Sequence, residues 1–487
     1  MSVISSLNPV EVYRYFDLLC SIPRGSSHEE KISNWFVQFA KERGLECVQD
    51  KFFNVLIRKP GTPGYENSPA LILHGHMDMV CKKEVGVEHD FLNEGLDVYT
   101  EDGYIRARGT TLGADNGIGI AYFLALLDSD DIPHPPLEVA LTVMEEMGKV
   151  GGNAFDASLL TAKRMIDLNW HKDDHILAGC GGDVSVQFKV PAEMESADEK
   201  GTTYEICLSG LLGGHCEFDI VLERANSIQL LARFMRNLSA ELDIRFAEVS
   251  GGVQNNVIPA EARMLAVIKP EDEQRFRSIM EETLSEIRYE FELSDPDIRL
   301  DIREASPVGQ VFTKKMSSTL AGLILLIPNG VMSMSLRISG ISECSSNMGL
   351  MTTGENGVEI ICTITSGLTS KKHEVMKNMI TLAELTGNGV EAKQFGTDAP
   401  EWEYNPESPL LAAAKEAYRK ITGKEAEIEV MPASLELGLF RNKVGGTLDI
   451  VSIGTETHGV HTPGEELKID SVDKVWKIFK EVLKNLK

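Results

Sequence analysis

The stretch Leu71-Ile72-Leu73-His74-Gly75-His76-Met77-Asp78-Met79-Val80 is an apolar run that closes on two histidines and a carboxylate. Residues i and i+2 of an extended segment point the same way, so His76 and Asp78 share one side of a strand end, and the carboxylate can fix the imidazole's tautomer. Metal-ligating histidines are held in this way. A lone His-x-Asp is also an ordinary surface pair, so the reading depends on what else the chain brings to that strand end.

Working outward, Ile32, Trp35, Phe36, Phe39 and Ala40 predict the buried face of a helix from about 27 to 44, followed by strands at 45–49 and 52–58. Downstream, a strand at 104–108 runs into Gly109-Thr110-Thr111-Leu112-Gly113-Ala114-Asp115-Asn116-Gly117 and a helix of small residues to Leu127. The apolar strand 137–144 ends in Glu145-Glu146, and the strand 164–168 ends in Asn169. Strands alternating with helices imply an α/β fold, a mostly parallel sheet with helices on both faces. Ligands gather at the carboxyl ends of such strands. His76, Asp115, Glu145, Glu146 and Asn169 all fall there.

From about Val184 the pattern changes to long strands and amphipathic helices. The set formed by Asn256, a strand at 262–268 and a helix from Glu271 is echoed by Asn347 (91 residues after Asn256), a strand at 358–365 and a helix from Lys371. An inserted, duplicated α+β domain over 184–388 is expected, between a first catalytic part (1–183) and a second (389–487). The α/β pattern resumes with a helix at 408–422, strands at 426–431 and 448–453, and a last helix from Asp470. Between the final strand and that helix lies Gly454-Thr455-Glu456-Thr457-His458-Gly459-Val460-His461-Thr462-Pro463, which would return His461 to the same sheet edge as His76.

Composition narrows the partners. The 487 residues carry 48 Lys plus Arg against 74 Asp plus Glu, a net charge of -26, which repels nucleic acid and anionic membranes. Eight cysteines stand without a C-x-x-C pair, so neither a zinc ribbon nor a disulfide scaffold is indicated. No window reaches the ~18 apolar residues that span a bilayer and no basic leader opens the chain, so a cytoplasmic location is expected. The glycines of 109–117 lack the Lys-Ser/Thr ending of a phosphate loop. Two imidazoles, His76 and His461, with the carboxylates Asp115, Glu145 and Glu146, suit Zn²⁺, with Mn²⁺ or Co²⁺ as alternatives.

These residues resemble a known family. His74-Gly75-His76-Met77-Asp78, Gly109 to Gly117, Glu145-Glu146-Met147-Gly148, Gly213-Gly214-His215 and His461-Thr462-Pro463 are similar to the motifs of the M20 metallopeptidases, in particular the cytosolic aminoacyl-histidine dipeptidases, nearly end to end. The resemblance implies a zinc-aminopeptidase-like domain with an inserted lid, and hydrolysis of dipeptides, Xaa-His among them, at two zinc ions. His76 and Asp115 would hold one ion, and Asp115 would bridge to a second held by Glu146 and His461. Asp78 would orient His76, and Glu145 would be the general base taking a proton from the attacking water. In the lid, His215 would stabilise the oxyanion and Asn256 would hold the substrate's carboxylate. An N-acyl amino acid is an alternative substrate, and a metal-depleted binding protein is the alternative to an enzyme. A homodimer stays open, since a duplicated lid can replace a dimer partner or coexist with one.

Three positions depart from the family pattern. Its remaining ligand, an aspartate 23 residues beyond the metal-binding glutamate, is here Asn169. An asparagine oxygen can ligate but brings no charge. Moving Asp167 into the slot would be forced, whereas His171, two residues on, could substitute. Thr365 stands where an arginine would bind the substrate's carboxylate, and Cys216-Glu217-Phe218 replaces small residues beyond His215.

Overall fold

The computed structural model describes residues 4–487 and divides into two compact units. The first comprises residues up to Gly179 with Tyr404–Met431 and Glu436–Lys487; the second comprises Cys180–Glu403 with Pro432–Leu435.

In the first unit the strands Leu137–Thr142, Leu71–His76, Arg164–Trp170 and Asp449–Gly454 lie side by side and parallel, in that order. Val55–Lys59 and Glu46–Gln49 extend the Leu137 edge antiparallel. Every residue of the Leu71 and Leu137 strands is buried, as parallel strands covered on both faces must be. The helix Ala114–Asp128 is buried from Ala114 through Leu127 and has no polar face, which marks it as the central core helix. It meets the sheet at glycines. A Cβ on Gly75 would lie 2.4 Å from Asn116 Oδ1, and one on Gly119 would lie 2.4 Å from the Leu168 carbonyl. The helices Val10–Ser21, Pro409–Thr422 and Ile469–Asn485 complete this core with Phe16, Leu411, Trp476 and Phe479. A separate four-stranded sheet joins Thr457–His458, Glu466–Lys468, Tyr104–Ala107 and Val98–Glu101.

The second unit is antiparallel throughout. From its first strand, the distal part of His175–Pro191, the order is Gly357–Ser366, Ser342–Gly354, Arg245–Gly251, Ala262–Ile268, Thr202–Ser209 and Arg299–Glu304. A helix–strand–strand–helix run built on Ser227–Glu241 and Glu273–Glu290 recurs on Lys314–Leu326 and Thr369–Thr386, the two halves meeting at the Arg245 and Ser342 strands. The first helix of each run starts on a side-chain cap, Asn226 accepting from the Ile228 and Gln229 amides and Thr313 from that of Met316. The crossing back falls at Tyr404 rather than near Gly389. Glu391–Phe395 pairs with residues 185–189, and Trp402 bridges Cys180, so both stay with the second unit.

Candidate metal centre

The carboxyl ends of the parallel strands collect the polar residues of the first unit. His76 ends the Leu71 strand, Glu145 and Glu146 follow the Leu137 strand, and Asn169 is the penultimate residue of the Arg164 strand. Asp115 comes from the start of the core helix and His461 from the loop after Thr457–His458, where it adopts φ 64°, unusual for a residue with a Cβ. His76, Asp115 and Glu146 bring donor atoms within 4.8 Å of one another. His76 Nε2 lies 2.9 Å from Asp115 Oδ1, while His461 Nε2 lies 3.3 Å from Asp115 Oδ2 and 2.8 Å from Glu146 Oε1. Asp115 thus faces a different imidazole with each oxygen.

Electrostatics follow from this packing. Burial pushes the Asp115 carboxyl up, but His461 and His76 outweigh it and hold it well below the usual carboxylate range. Burial disfavours a charged His76, yet Asp115 and Asp78 raise it well above an ordinary histidine. Asp115 and Glu146 raise His461 to about 10. Imidazoles held charged between carboxylates mark a place that draws positive charge, and a divalent cation would take the place of those protons. Nitrogen and carboxylate donors in this set fit zinc.

Asp78 is fully buried behind His76, its Oδ1 3.4 Å from Nδ1, long for a hydrogen bond. It also accepts from the Ser26 hydroxyl at 2.8 Å and from the backbone amides of Glu145 and Glu146 at 3.1 and 3.3 Å. One carboxylate therefore positions the imidazole and both glutamates. Burial raises Glu145 to about 7, the charge of His76 pulling down and those of Glu436, Glu146 and Asp115 pushing up.

Asn169 sits beside the cluster with its amide turned. Its Oδ1 accepts from Asn116 Nδ2 at 2.6 Å, and its Nδ2 lies 3.3 Å from His76 Nε2. Asp167 is engaged elsewhere, contacting His74 Nδ1 at 3.1 Å and accepting from the Ser452 hydroxyl and the Asn169 amide. It is no ligand. His171 Nε2 stands 3.7 Å from Asp115 Oδ2.

Three supporting groups escaped the sequence reading. Glu465 is buried and accepts from the amides of Leu112, Gly113, Ala114 and Asp115, clamping the turn that delivers Asp115. Arg24, 2% exposed, donates to the carbonyls of Met77, Asp78 and Gly113 and so ties the two motif loops together. His74 lies between Asp167 and Glu436, and these two raise it to about 9 against its burial. A histidine inside an apolar strand was the one visible signal, because a buried polar group needs partners.

The second unit brings the two expected substrate contacts together. Gly214–His215 pairs with Val257–Ile258, and the Cys216 amide donates to the Asn256 carbonyl at 3.0 Å. His215 Nδ1 accepts from the Glu217 amide at 3.2 Å, and burial lowers this histidine's pKa, which leaves a neutral ring with its proton on Nε2. Cys216 is buried and Phe218 packs 5.0 Å from the His215 ring. Thr365 is buried within the Gly357 strand, opposite Ser345 and Asp183.

Among the described residues no helix is long and apolar enough to cross a membrane. Residues 72–485 match the model of peptidase family M20/M25/M40. The cytosol non-specific dipeptidase of Escherichia coli is 34% identical over 486 residues, covering 100% of this chain and 99% of that protein. The crystal structure of aminoacylhistidine dipeptidase from Vibrio alginolyticus shares 33% identity and a TM-score of 0.93, over 99% of this chain and 98% of that one. Aminopeptidase PepT from Bacillus cereus, at 16% identity and a TM-score of 0.56, shares the fold. With this likeness along its full length, and a cluster at the carboxyl edge of the sheet whose residues could hold a metal, the chain belongs to peptidase family M20/M25/M40 and is a peptidase of the hydrolase class.

Proposed function

We propose that this chain hydrolyses dipeptides in the cytoplasm, Xaa-His dipeptides among them, with two zinc ions held by His76, Asp115, Glu146 and His461. The observation that carries the reading is Asp115, one oxygen 2.9 Å from His76 and the other 3.3 Å from His461, with Glu146 Oε1 2.8 Å from the same His461 nitrogen. The names of the Escherichia coli and Vibrio alginolyticus relatives support a dipeptide substrate, and the second supports histidine as its C-terminal residue.

Zinc in such a site polarises a carbonyl and makes water nucleophilic near neutral pH. Glu145, raised to about 7, suits a general base working near neutrality. Its carboxylate takes the proton of the attacking water and passes it to the leaving amine. Asp78 keeps His76 and the Glu145 backbone in register while this happens. His215 carries its proton on Nε2, the form needed to donate to a developing oxyanion, and Asn256 offers an exposed side chain to the substrate's carboxylate.

Elemental analysis of the purified protein, with β-alanyl-histidine hydrolysis followed before and after zinc addition, tests the reading. Two metals per chain and metal-dependent cleavage are expected. No cleavage in excess zinc overturns it.

A further inference from the structure

The Asn169 slot supplies no ligand. Its oxygen is committed to Asn116 Nδ2, and that amide is itself fixed by a 3.0 Å bond to the Leu168 carbonyl. As placed, the Asn169 NH2 faces His76, and turning the amide would give up the Asn116 bond and set two NH2 groups against each other. An amide NH2 has no lone pair for a metal and brings no negative charge. A family member built on this slot alone would hold its first ion by His76 and Asp115 only.

His171 stands beside Asp115, on the oxygen that faces His461. It lies two residues on from Asn169, in the bend just past the strand end at Trp170, and its ring stacks on Trp170 with centroids 6.1 Å apart. Its backbone is held by the Thr457 amide donating to its carbonyl at 3.2 Å. Its Nε2 is 3.7 Å from Asp115 Oδ2, too far for a hydrogen bond. Two donors each about 2.1 Å from one tetrahedral ion stand about 3.4 Å apart. The spacing of His171 from Asp115 is thus near that of two ligands sharing an ion, as is the 3.3 Å between His461 and the same oxygen.

We infer that His171 adds an imidazole ligand on the Asp115 oxygen that also faces His461, offsetting the ligand lost at Asn169, so that the centre holds its two ions with three imidazoles, His76, His171 and His461, and two carboxylates, Asp115 and Glu146. This inference rests on the metallopeptidase reading above. Exchanging a carboxylate for an imidazole lowers the negative charge of the ligand set by one. It also shifts the preference from hard Mn²⁺ toward zinc and cobalt.

The test is metal binding by the full-length protein. Metal-free protein is titrated with Zn²⁺ and with Co²⁺, the cobalt followed by its visible absorption. X-ray absorption on the zinc form counts imidazoles. The wild type is expected to take two ions with three imidazoles between them. His171→Ala should lose one imidazole and bind one ion more weakly by at least the 10–100-fold that loss of an outer partner costs. The double variant Asn169→Asp/His171→Ala should regain affinity with two imidazoles. His171 is partly exposed, so folding should survive, and circular dichroism checks this. Unchanged ion affinity and imidazole count in His171→Ala overturn the inference while leaving the dipeptidase reading intact. A wild type that takes up no ion even in excess zinc overturns both.

Discussion

Asn169 turns its amide nitrogen, not its oxygen, toward His76: Nδ2 lies 3.3 Å from Nε2, while Oδ1 takes the Asn116 amide at 2.6 Å. Asn116 holds that orientation from the core helix, which comes close enough only because Gly75 and Gly119 lack side chains.

A carboxylate in this position would accept from Asn116 with one oxygen and present the other to the ions. Asn169→Asp is therefore expected to raise zinc affinity, by roughly tenfold or more. Competition titration against a chromophoric chelator measures it, and unchanged affinity would remove residue 169 from the site.

Glu145 is a base in this scheme, not a ligand. Glu145→Gln should lower kcat for β-alanyl-histidine by about 10²–10⁴-fold and leave two ions bound. Loss of an ion along with activity would reassign Glu145 to the metal.

Glu465 accepts from four backbone amides, two on each oxygen. In Glu465→Gln one oxygen becomes an NH2 facing N–H groups, and each orphaned buried donor costs about 1–3 kcal/mol. We expect a lower urea midpoint and weaker metal binding together, since the same turn carries Asp115. A variant that melts earlier yet binds metal normally would confine Glu465 to stability.

On the second unit's surface, Arg245 and Lys269 hold Asp243 down to about 2. A depressed carboxylate stabilises the fold above its unfolded value of about 4, and the gain is lost as pH falls through about 2. The trio is largely exposed, so the effect is expected to stay below about 1 kcal/mol and to fade in salt. Urea unfolding of Asp243→Asn at pH 6 and pH 3, in low and high salt, measures it. A large, salt-insensitive loss would contradict it.

Much of the centre was legible in one dimension. Apolar runs that stop at charged residues mark strand ends, and His76 and Glu146 stand at or just past such stops, because parallel strands bury every residue up to the edge where ligands bind, whereas Asp115 and His461 arrive from a helix start and a loop. The halves of the second unit recur in element order, but Asn256 and Asn347 are not equivalent: Asn256 lies in a turn before Val257–Ile258, while Asn347 lies inside the Ser342–Gly354 strand with its amide donating to the Asn255 and Val257 carbonyls.

The groups that position the centre were not legible. Glu465 clamps a turn some 350 residues earlier in the chain, Arg24 bridges Met77 and Gly113, and Glu436 reaches His74, and none of these pairs leaves a periodic trace. A buried charge is defined by the partners that surround it, and those come from separate segments. The identity of residue 169 was plain from the sequence, and with it the missing charge. Which atom of its amide faces the ions was decided only when Asn116, delivered by the core helix, claimed the oxygen.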